Sequence, residues 1–244
     1  MPTVQELADQ LNSNDQPTVY RAKRALADMA ATAGAPGKAG QRPELAAALA
    51  KAETAKNEKG DAPKYSAKAR GELSRTLSEV GGDREVPGLK ETLNDFDARE
   101  MARFALDRMT CQAATDALAD AALNAVGVEF RIGAINALGR RSGSQVVDVL
   151  KACAGAGDPE IRLAAAEALA NHSDATADPL IAALAKQPGP RAPLRATKAR
   201  VRLAARLAGA GQKEAAKKIY ESIAQSDAAA AQKKAATIGL AQLG

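Results

Sequence analysis

Histidine and aromatic residues are scarce in this sequence of 244 residues. It has one His, no Trp, three Tyr and three Phe. A metal site built from imidazoles needs more than one histidine, and a His-based catalytic dyad would depend wholly on His172. That residue follows the end of a predicted helix, where an imidazole meets exposed carbonyls. Few aromatic rings also argue against base stacking and base flipping.

Phosphate-binding and nucleophile motifs are missing as well. The patterns GxxxxGK[ST], GxGxxG and GxSxG do not occur, and Gly81-Gly82 is better explained as a helix stop than as a phosphate cradle. The sequence also gives no motif that would place a catalytic acid next to a catalytic base. We therefore expect no catalytic residue, no metal ligand and no cofactor, and we do not expect an enzyme.

Cysteine and long apolar runs are also rare. Cys111 and Cys153 lack CxxC spacing and are too few for a disulfide framework, which agrees with a reducing compartment. No stretch of about 18 uncharged apolar residues occurs, and the first seven residues lack the features of a secretory signal. These absences predict a cytoplasmic protein without a membrane partner.

What the chain does contain is alanine, at 60 positions, and a repeated pattern. The pattern is an acid, an apolar residue, Arg, two residues, Ala, two residues and Ala-Leu. At 3.6 residues per turn, both Ala positions and the Leu share one helical stripe. The clean copies end 32 and 31 residues apart and begin at Asp97-Ala98-Arg99, Glu129-Phe130-Arg131 and Glu160-Ile161-Arg162.

Weaker copies extend the series in both directions. The seven rows end at Leu26, Leu77, Leu106, Leu138, Leu169, Leu207 and Leu240. Second helical segments, such as residues 144–150 and 176–184, lie between the rows. A helical hairpin of this length buries its apolar face only against a neighbour. The pattern predicts an all-α fold, a right-handed α-α superhelix (α-solenoid) of about six to seven helical hairpins.

The row Asp158-Pro159-Glu160-Ile161-Arg162, followed by Ala and Ala-Leu, resembles a HEAT repeat in the short form best known from phycobilin lyases. The match is specific over residues 95–185, and the chain departs from the family pattern at Val19 and Lys233, where the Arg of the row is missing. The resemblance implies an armadillo-like solenoid and a habit of binding macromolecules, but no single activity. The His-Glu pairs of the HEAT-like di-iron hydroxylases are absent.

We expect residues 1–244 to form one repeat domain. Residues 1–65 make an N-terminal cap and an irregular first repeat with insertions at residues 34–43 and 57–63. Residues 66–185 form the regular repeats, and residues 186–244 form basic C-terminal repeats. Thr3 and Glu6 form a predicted capping box, whereas Asp158 and Asp178, each before a Pro, are predicted helix starts.

An arginine occupies the same row position in four repeats. By the resemblance, such an Arg bonds an acid or a carbonyl of the neighbouring repeat and sets the stacking. The alternative interpretation is an anion-binding ladder. The predicted structural ladder consists of Arg70, Arg99, Arg131 and Arg162.

Basic residues concentrate near the C-terminus. Residues 185–244 hold 12 basic and 3 acidic side chains, a net charge of +9 within a chain of net charge +5. On a helix starting near Pro193, the basic residues are spaced 3, 4 and 4 and share one face. No acid occurs between Ala185 and Lys213, so we expect these charges to have no local partners on their own helix. The candidate anion- or partner-binding residues are Arg191, Arg195, Lys198, Arg202 and Arg206.

The leading functional hypothesis is a non-enzymatic scaffold that binds another protein through the solenoid surface. The alternative is a nucleic-acid binder that contacts the phosphate backbone through the basic C-terminal repeats. A second alternative, suggested only by the repeat type, is a lyase or chaperone of the phycobilin lyase kind. A solvated outer face would also explain the basic stripe. The oligomeric state is left open.

Overall fold

Helices make up the regular structure of the chain. A computed structural model describes residues 2–31 and 43–243. In these ranges the only pairing of extended backbone is an isolated bridge between Lys56 and Pro63. The predicted all-α class is confirmed. The helices are α1 (Val4–Leu11), α2 (Gln16–Ala31), α3 (Pro43–Glu53), α4 (Ala67–Val80), α5 (Val86–Thr92), α6 (Arg99–Arg108), α7 (Gln112–Asn124), α8 (Val128–Leu138), α9 (Ser144–Ala154), α10 (Pro159–Leu169), α11 (Asp178–Ala185), α12 (Arg191–Gly209), α13 (Lys213–Ala224) and α14 (Ala230–Leu243), with a 3₁₀ helix, Ala175–Ala177, between α10 and α11.

The repeat of the sequence is also a repeat of the structure. Each predicted row lies in an even-numbered helix, from α2 to α14. The Leu that ends the row is fully buried in the first six of these helices, whereas Leu240 in α14 is half-buried. The stripe of Ala and Leu is therefore the core-facing side of each helix, as the 3.6-residue period predicts.

The chain divides into two compact units, Met1–Ala121 and Ala122–Gly244, which we call unit 1 and unit 2. In unit 1, α4 packs against α3 and α6, and α1 packs against α2. In unit 2, α10 packs against α8, α9 and α12, and α13 packs against both α12 and α14. The prediction of one continuous repeat domain, with inner boundaries at residues 65 and 185, stays a prediction.

Helices begin at all three predicted starts, and two of the three predicted capping side chains are confirmed. The hydroxyl of Thr3 accepts from the N–H of Glu6, whose carboxylate accepts in return from the N–H of Thr3. Asp158 accepts from the N–H groups of Glu160 and Ile161 at 2.9 and 3.0 Å. A helix also starts at Asp178, but Asp178 is the first residue of α11 and its side chain does not cap the helix.

The structure also corrects several helix boundaries. Helix α12 begins at Arg191 instead of Pro193, because a proline is tolerated in the first turn of a helix. The sequence predicts a helix over about residues 44–56, but helix α3 ends at Glu53. The predicted insertion at residues 57–63 forms a tight turn with Gly60 at φ +74°. The sequence predicts a last helix over about residues 227–243, but α14 begins at Ala230. The insertion predicted at residues 34–43 lies outside the described residues except for Pro43.

Candidate anion-binding surface

The arginines of the predicted ladder contact loops and helix ends. In unit 1, Arg70 of α4 donates to Asp95, which precedes α6 of the next repeat, at 2.6 Å. In unit 2, Nε of Arg131 donates to the carbonyl of Ala122 at 2.9 Å. Ala122 lies in the last turn of α7, where carbonyls lack a partner within the helix. Both contacts join neighbouring repeats, as the stacking hypothesis requires.

The other two ladder arginines make more local contacts. Arg162 donates to the carbonyls of Ala156 and Gly157, in the connection before its own helix, at 2.9 and 2.7 Å. The guanidinium of Arg99 lies 4.2 Å from the centre of the Phe96 ring. The shared row position therefore leads to four different sets of partners. Their structural role stays a prediction.

Arg200 is a fifth arginine in the same row position, and the sequence interpretation did not select it. Its guanidinium donates to both carboxylate oxygens of Asp178, at 2.7 and 3.1 Å, and to the hydroxyl of Ser222 at 3.2 Å. The side chain is only 9% exposed. This contact occupies the carboxylate of Asp178, which was predicted to cap α11. The position of Arg200 within its row would have been enough to identify it from the sequence as a member of the ladder.

The basic stripe of α12 divides into two parts. Arg195 donates to both carboxylate oxygens of Glu167, at 2.7 and 2.5 Å, and Arg191 lies 3.3 Å from Glu160. Glu160 and Glu167 belong to α10. The hydrogen bonds from Arg195 to Glu167 raise the pKa of Arg195. Arg191 and Arg195 therefore have no acidic partner on α12 itself, as expected, but the adjacent helix α10 supplies acids that the sequence did not indicate.

The rest of the stripe faces solvent. Lys198, Arg202 and Arg206 are exposed and follow each other at four-residue intervals. Arg202 donates to the backbone carbonyl of Glu167 at 2.7 Å. Neither Lys198 nor Arg206 forms an ion pair within the described residues. We call these three residues the α12 row, which extends over about 12 Å along the helix axis.

A buried acid in unit 1 was not expected from the sequence. Glu53, at the end of α3, is 1% exposed, and its Oε1 accepts from the hydroxyls of Thr92 and Ser74 at 2.8 and 3.5 Å. Burial raises the pKa of Glu53. Its position shows no pattern that would distinguish it from an exposed helix-terminal glutamate.

The described residues contain no group of three or more His, Cys, Asp or Glu side chains that could hold a metal ion. No helix in the same ranges is both long and apolar enough to cross a bilayer.

Residues 115–199 match a family model of HEAT repeats. The predicted HEAT-like repeat is confirmed. The matched segment extends from α7 into α12 and includes two of the three clean rows. No curated protein sequence matches the chain.

Solved structures with a similar course of the chain share little sequence. A complex of CpcE and CpcF of phycocyanin lyase from Nostoc is 17% identical over 100% of this chain and 96% of the other, with a TM-score of 0.43. Human deoxyhypusine hydroxylase is 16% identical to this protein over 98% of this chain and 95% of the other, with a TM-score of 0.39. A designed armadillo repeat protein is 17% identical over 99% of this chain and 100% of the other, and its TM-score is also 0.39. At these values the likenesses carry no argument about activity.

Proposed function

We propose that this protein is a non-enzymatic binding scaffold that docks an acidic segment of another protein on the α12 row. HEAT repeats suggest a scaffold for macromolecular interactions, and this fold supports the general class. The observation that carries the finer proposal is the exposed row Lys198, Arg202 and Arg206 beside a neutralised pair of arginines. The predicted cytoplasmic location is part of the proposal.

The division of the stripe favours a protein partner over nucleic acid. Because Glu160 and Glu167 neutralise Arg191 and Arg195, the continuous positive surface is shorter than the sequence suggested. Affinity for a nucleic-acid backbone rises with the number of phosphates that are neutralised. Three cations along one helix instead suit a short run of carboxylates, for which close charge complementarity supplies specificity.

Peptide binding tests the proposal. Fluorescence anisotropy would measure the affinity of a labelled ten-glutamate peptide and of a 20-base-pair DNA duplex at about 50 mM salt. The test variant carries Lys198→Gln, Arg202→Gln and Arg206→Gln. The control carries Lys217→Gln, Lys218→Gln and Lys234→Gln, which removes the same charge from exposed positions of α13 and α14.

We expect the test variant to weaken peptide binding about tenfold or more and the control to change it less than about threefold. Equal losses in both variants would show that only net charge matters and would overturn the proposal. Tighter binding of the duplex than of the peptide, lost in the test variant, would favour the nucleic-acid alternative. A lyase or chaperone of the phycobilin lyase kind stays a prediction from the repeat type.

A further inference from the structure

A cavity of about 610 Å³ lies in unit 2 beside the N-terminal part of α12, and its volume is in the range of ligand pockets, about 300–1,000 Å³. Its walls come from α11 and the connection after it, from α12, and from the connection between α13 and α14 with the first turn of α14. Alanine, proline and leucine supply half of the lining residues. Leu194, the largest apolar side chain among them, is 42% exposed. The cavity is therefore an apolar recess in the surface rather than part of the filled core.

A buried amide lines the same cavity. Gln232, in the first turn of α14, is only 6% exposed, and its Oε1 is buried without a hydrogen-bond partner. No hydrogen bond joins this side chain to any other group in the described part of the chain. Burying a polar group without a partner costs free energy, so natural proteins seldom leave one in this state. A carboxamide has both an acceptor and a donor, which are the complement of a peptide group.

A second polar group at the cavity is also unused. Thr197 of α12 is 7% exposed, and its hydroxyl makes no hydrogen bond within the described residues. A threonine in a helix commonly donates to a carbonyl of the preceding turn. Thr54 and Thr76 do so in this protein, each at 2.9 Å. The cavity therefore presents two uncharged polar groups that have no partner within the chain.

Charged groups at the cavity offset one another. Lys186 and Asp227 line it from exposed positions and carry opposite charges. Arg200 also lines it, but its guanidinium is bound by Asp178 and Ser222. An ion would therefore gain little net attraction here. An apolar side chain with its neutral peptide group fits this lining better, because the burial of apolar surface needs no opposite charge.

The cavity lies at one end of the α12 row. Leu194 precedes Lys198 by four residues, the interval that also separates the members of the row. Residues at this spacing follow each other along one side of a helix at a rise of about 6 Å. A segment that lies along the row therefore meets the cavity next to Leu194.

We propose that this cavity takes an apolar side chain of the acidic segment that docks on the α12 row, and that Gln232 binds the peptide group of the same residue. An extended peptide rises about 3.3 Å per residue. The acid opposite Lys198 then lies about two residues from the apolar residue, and the acid opposite Arg206 lies about five or six residues from it. The inference rests on the proposed function and adds an apolar anchor to the acidic segment.

The test compares acidic peptides that differ at one position. Fluorescence anisotropy at about 50 mM salt measures the affinity of a labelled peptide with one leucine, one glycine and five glutamates, and of the same peptide with serine for leucine. Each pair is made with the variable residue at either end, which covers both directions along α12. We expect leucine to tighten binding about tenfold relative to serine in one direction. Methylation of the leucine nitrogen, which removes its N–H, should weaken binding about fivefold.

Three variants of the full chain test the assigned contacts. Ala182→Leu fills the cavity from α11, and Ala183→Leu, at an exposed position outside the lining, is its control. The advantage of leucine over serine should disappear in Ala182→Leu and remain in Ala183→Leu. Gln232→Met removes the amide and keeps the length of the side chain, so it should bind the leucine peptide and its N-methylated form equally. Its melting temperature should equal or exceed that of the wild type, because no hydrogen bond within the chain is lost.

The outcomes distinguish this inference from the proposed function. Equal affinities of the leucine and serine peptides in both directions would overturn the inference and leave the docking of acids on the α12 row intact. A lower melting temperature of Gln232→Met, with an unchanged effect of N-methylation, would show that the amide is structural and would overturn its role.

N-acetyl-leucine amide, which carries no acid, probes the cavity by itself. At about 50 mM it should raise the melting temperature of the wild type but not that of Ala182→Leu. This shift without binding of any glutamate peptide would reject the proposed function and would make a small neutral amide, not an acidic segment, the occupant of the cavity. Absence of both the shift and peptide binding would reject both proposals.

Discussion

Single arginines join neighbouring repeats in this protein through helix ends and loops. Arg131 donates to a carbonyl in the last turn of α7, and Arg200 joins α12 to both α11 and α13. Removing such a donor leaves a carbonyl or a carboxylate with one partner fewer, which costs more than a surface contact does. These contacts lead us to predict that Arg131 and Arg200 stabilise the fold.

Replacing Arg131 by Met should lower the free energy of unfolding by about 1–2 kcal/mol, because the carbonyl of Ala122 loses a charged donor while the apolar part of the side chain is kept. Urea unfolding followed by circular dichroism measures the change. The matched control is Arg24→Met, since Arg24 is exposed and forms no ion pair within the described residues. Equal stability of the two variants would contradict a structural role for Arg131.

Glu53 makes the stability of unit 1 depend on pH. Burial raises its pKa, so the protonated form favours folding. This contribution is fully present below the unfolded-state pKa of about 4.5 and is lost as the pH rises through the higher pKa of the folded state. Arg70, whose charge lowers the pKa, and Glu91, whose charge raises it, also act on this carboxyl.

Glu53→Gln should therefore stabilise the protein at pH 7.5 by about 1 kcal/mol, and the gain should disappear near pH 4. The neutral amide keeps an acceptor for Thr92 and removes the buried charge. Unfolding curves at both pH values measure this difference. Glu58→Gln, at an exposed position, serves as the control. A gain for Glu53→Gln that is as large at pH 4 as at pH 7.5 would show that the charge of Glu53 is not its cause.

At the scale of the helix, local sequence determined most boundaries but not the partners across repeats. The capping groups Thr3 and Asp158 act on their own first turns, so they could be identified from spacing alone. Asp178 has the same Asp-Pro sequence but does not cap its helix. A 3₁₀ turn precedes it, and its carboxylate accepts from the guanidinium of Arg200 instead. The pair Arg195 and Glu167 is 28 residues apart, so it depends on how α12 lies on α10.

Helix α14 packs on α13 through a glycine. A Cβ added at Gly239 would lie 2.3–2.7 Å from three ring carbons of Tyr220, which is itself buried. Alanine normally stabilises a helix by about 1 kcal/mol relative to glycine. Here the ring cannot accept the methyl group without a shift of the two helices, and overpacking of this kind costs about 1–3 kcal/mol.

We predict that Gly239→Ala lowers the melting temperature by several degrees, despite the better helix propensity of alanine. Gly209→Ala is the matched control, because an added Cβ there has no heavy atom within 4 Å. Differential scanning calorimetry of both variants measures the effect. The close packing of α14 on Tyr220 would be disproved if Gly239→Ala were as stable as Gly209→Ala.

At the scale of the whole molecule, charge distinguishes the last part of the chain. Residues 185–244 hold 12 basic and 3 acidic side chains, and the excess was visible in the sequence. The structure shows that part of this charge is neutralised by glutamates of α10, while the α12 row remains exposed. The net charge of this part of the chain is therefore larger than the unpaired positive charge that a partner meets on its surface.

The central claim is that the α12 row binds acidic protein segments through its own charges, and reversing those charges tests it most directly. Isothermal titration calorimetry would compare the wild type with Lys198→Glu/Arg202→Glu, each titrated with a ten-glutamate and a ten-lysine peptide. Lys217→Glu/Lys218→Glu on α13 serves as the control. We predict that the wild type and the α13 variant bind the ten-glutamate peptide more tightly than the ten-lysine peptide. The α12 variant should bind the ten-lysine peptide more tightly. Binding of the ten-glutamate peptide to the α12 variant with wild-type affinity would contradict the account.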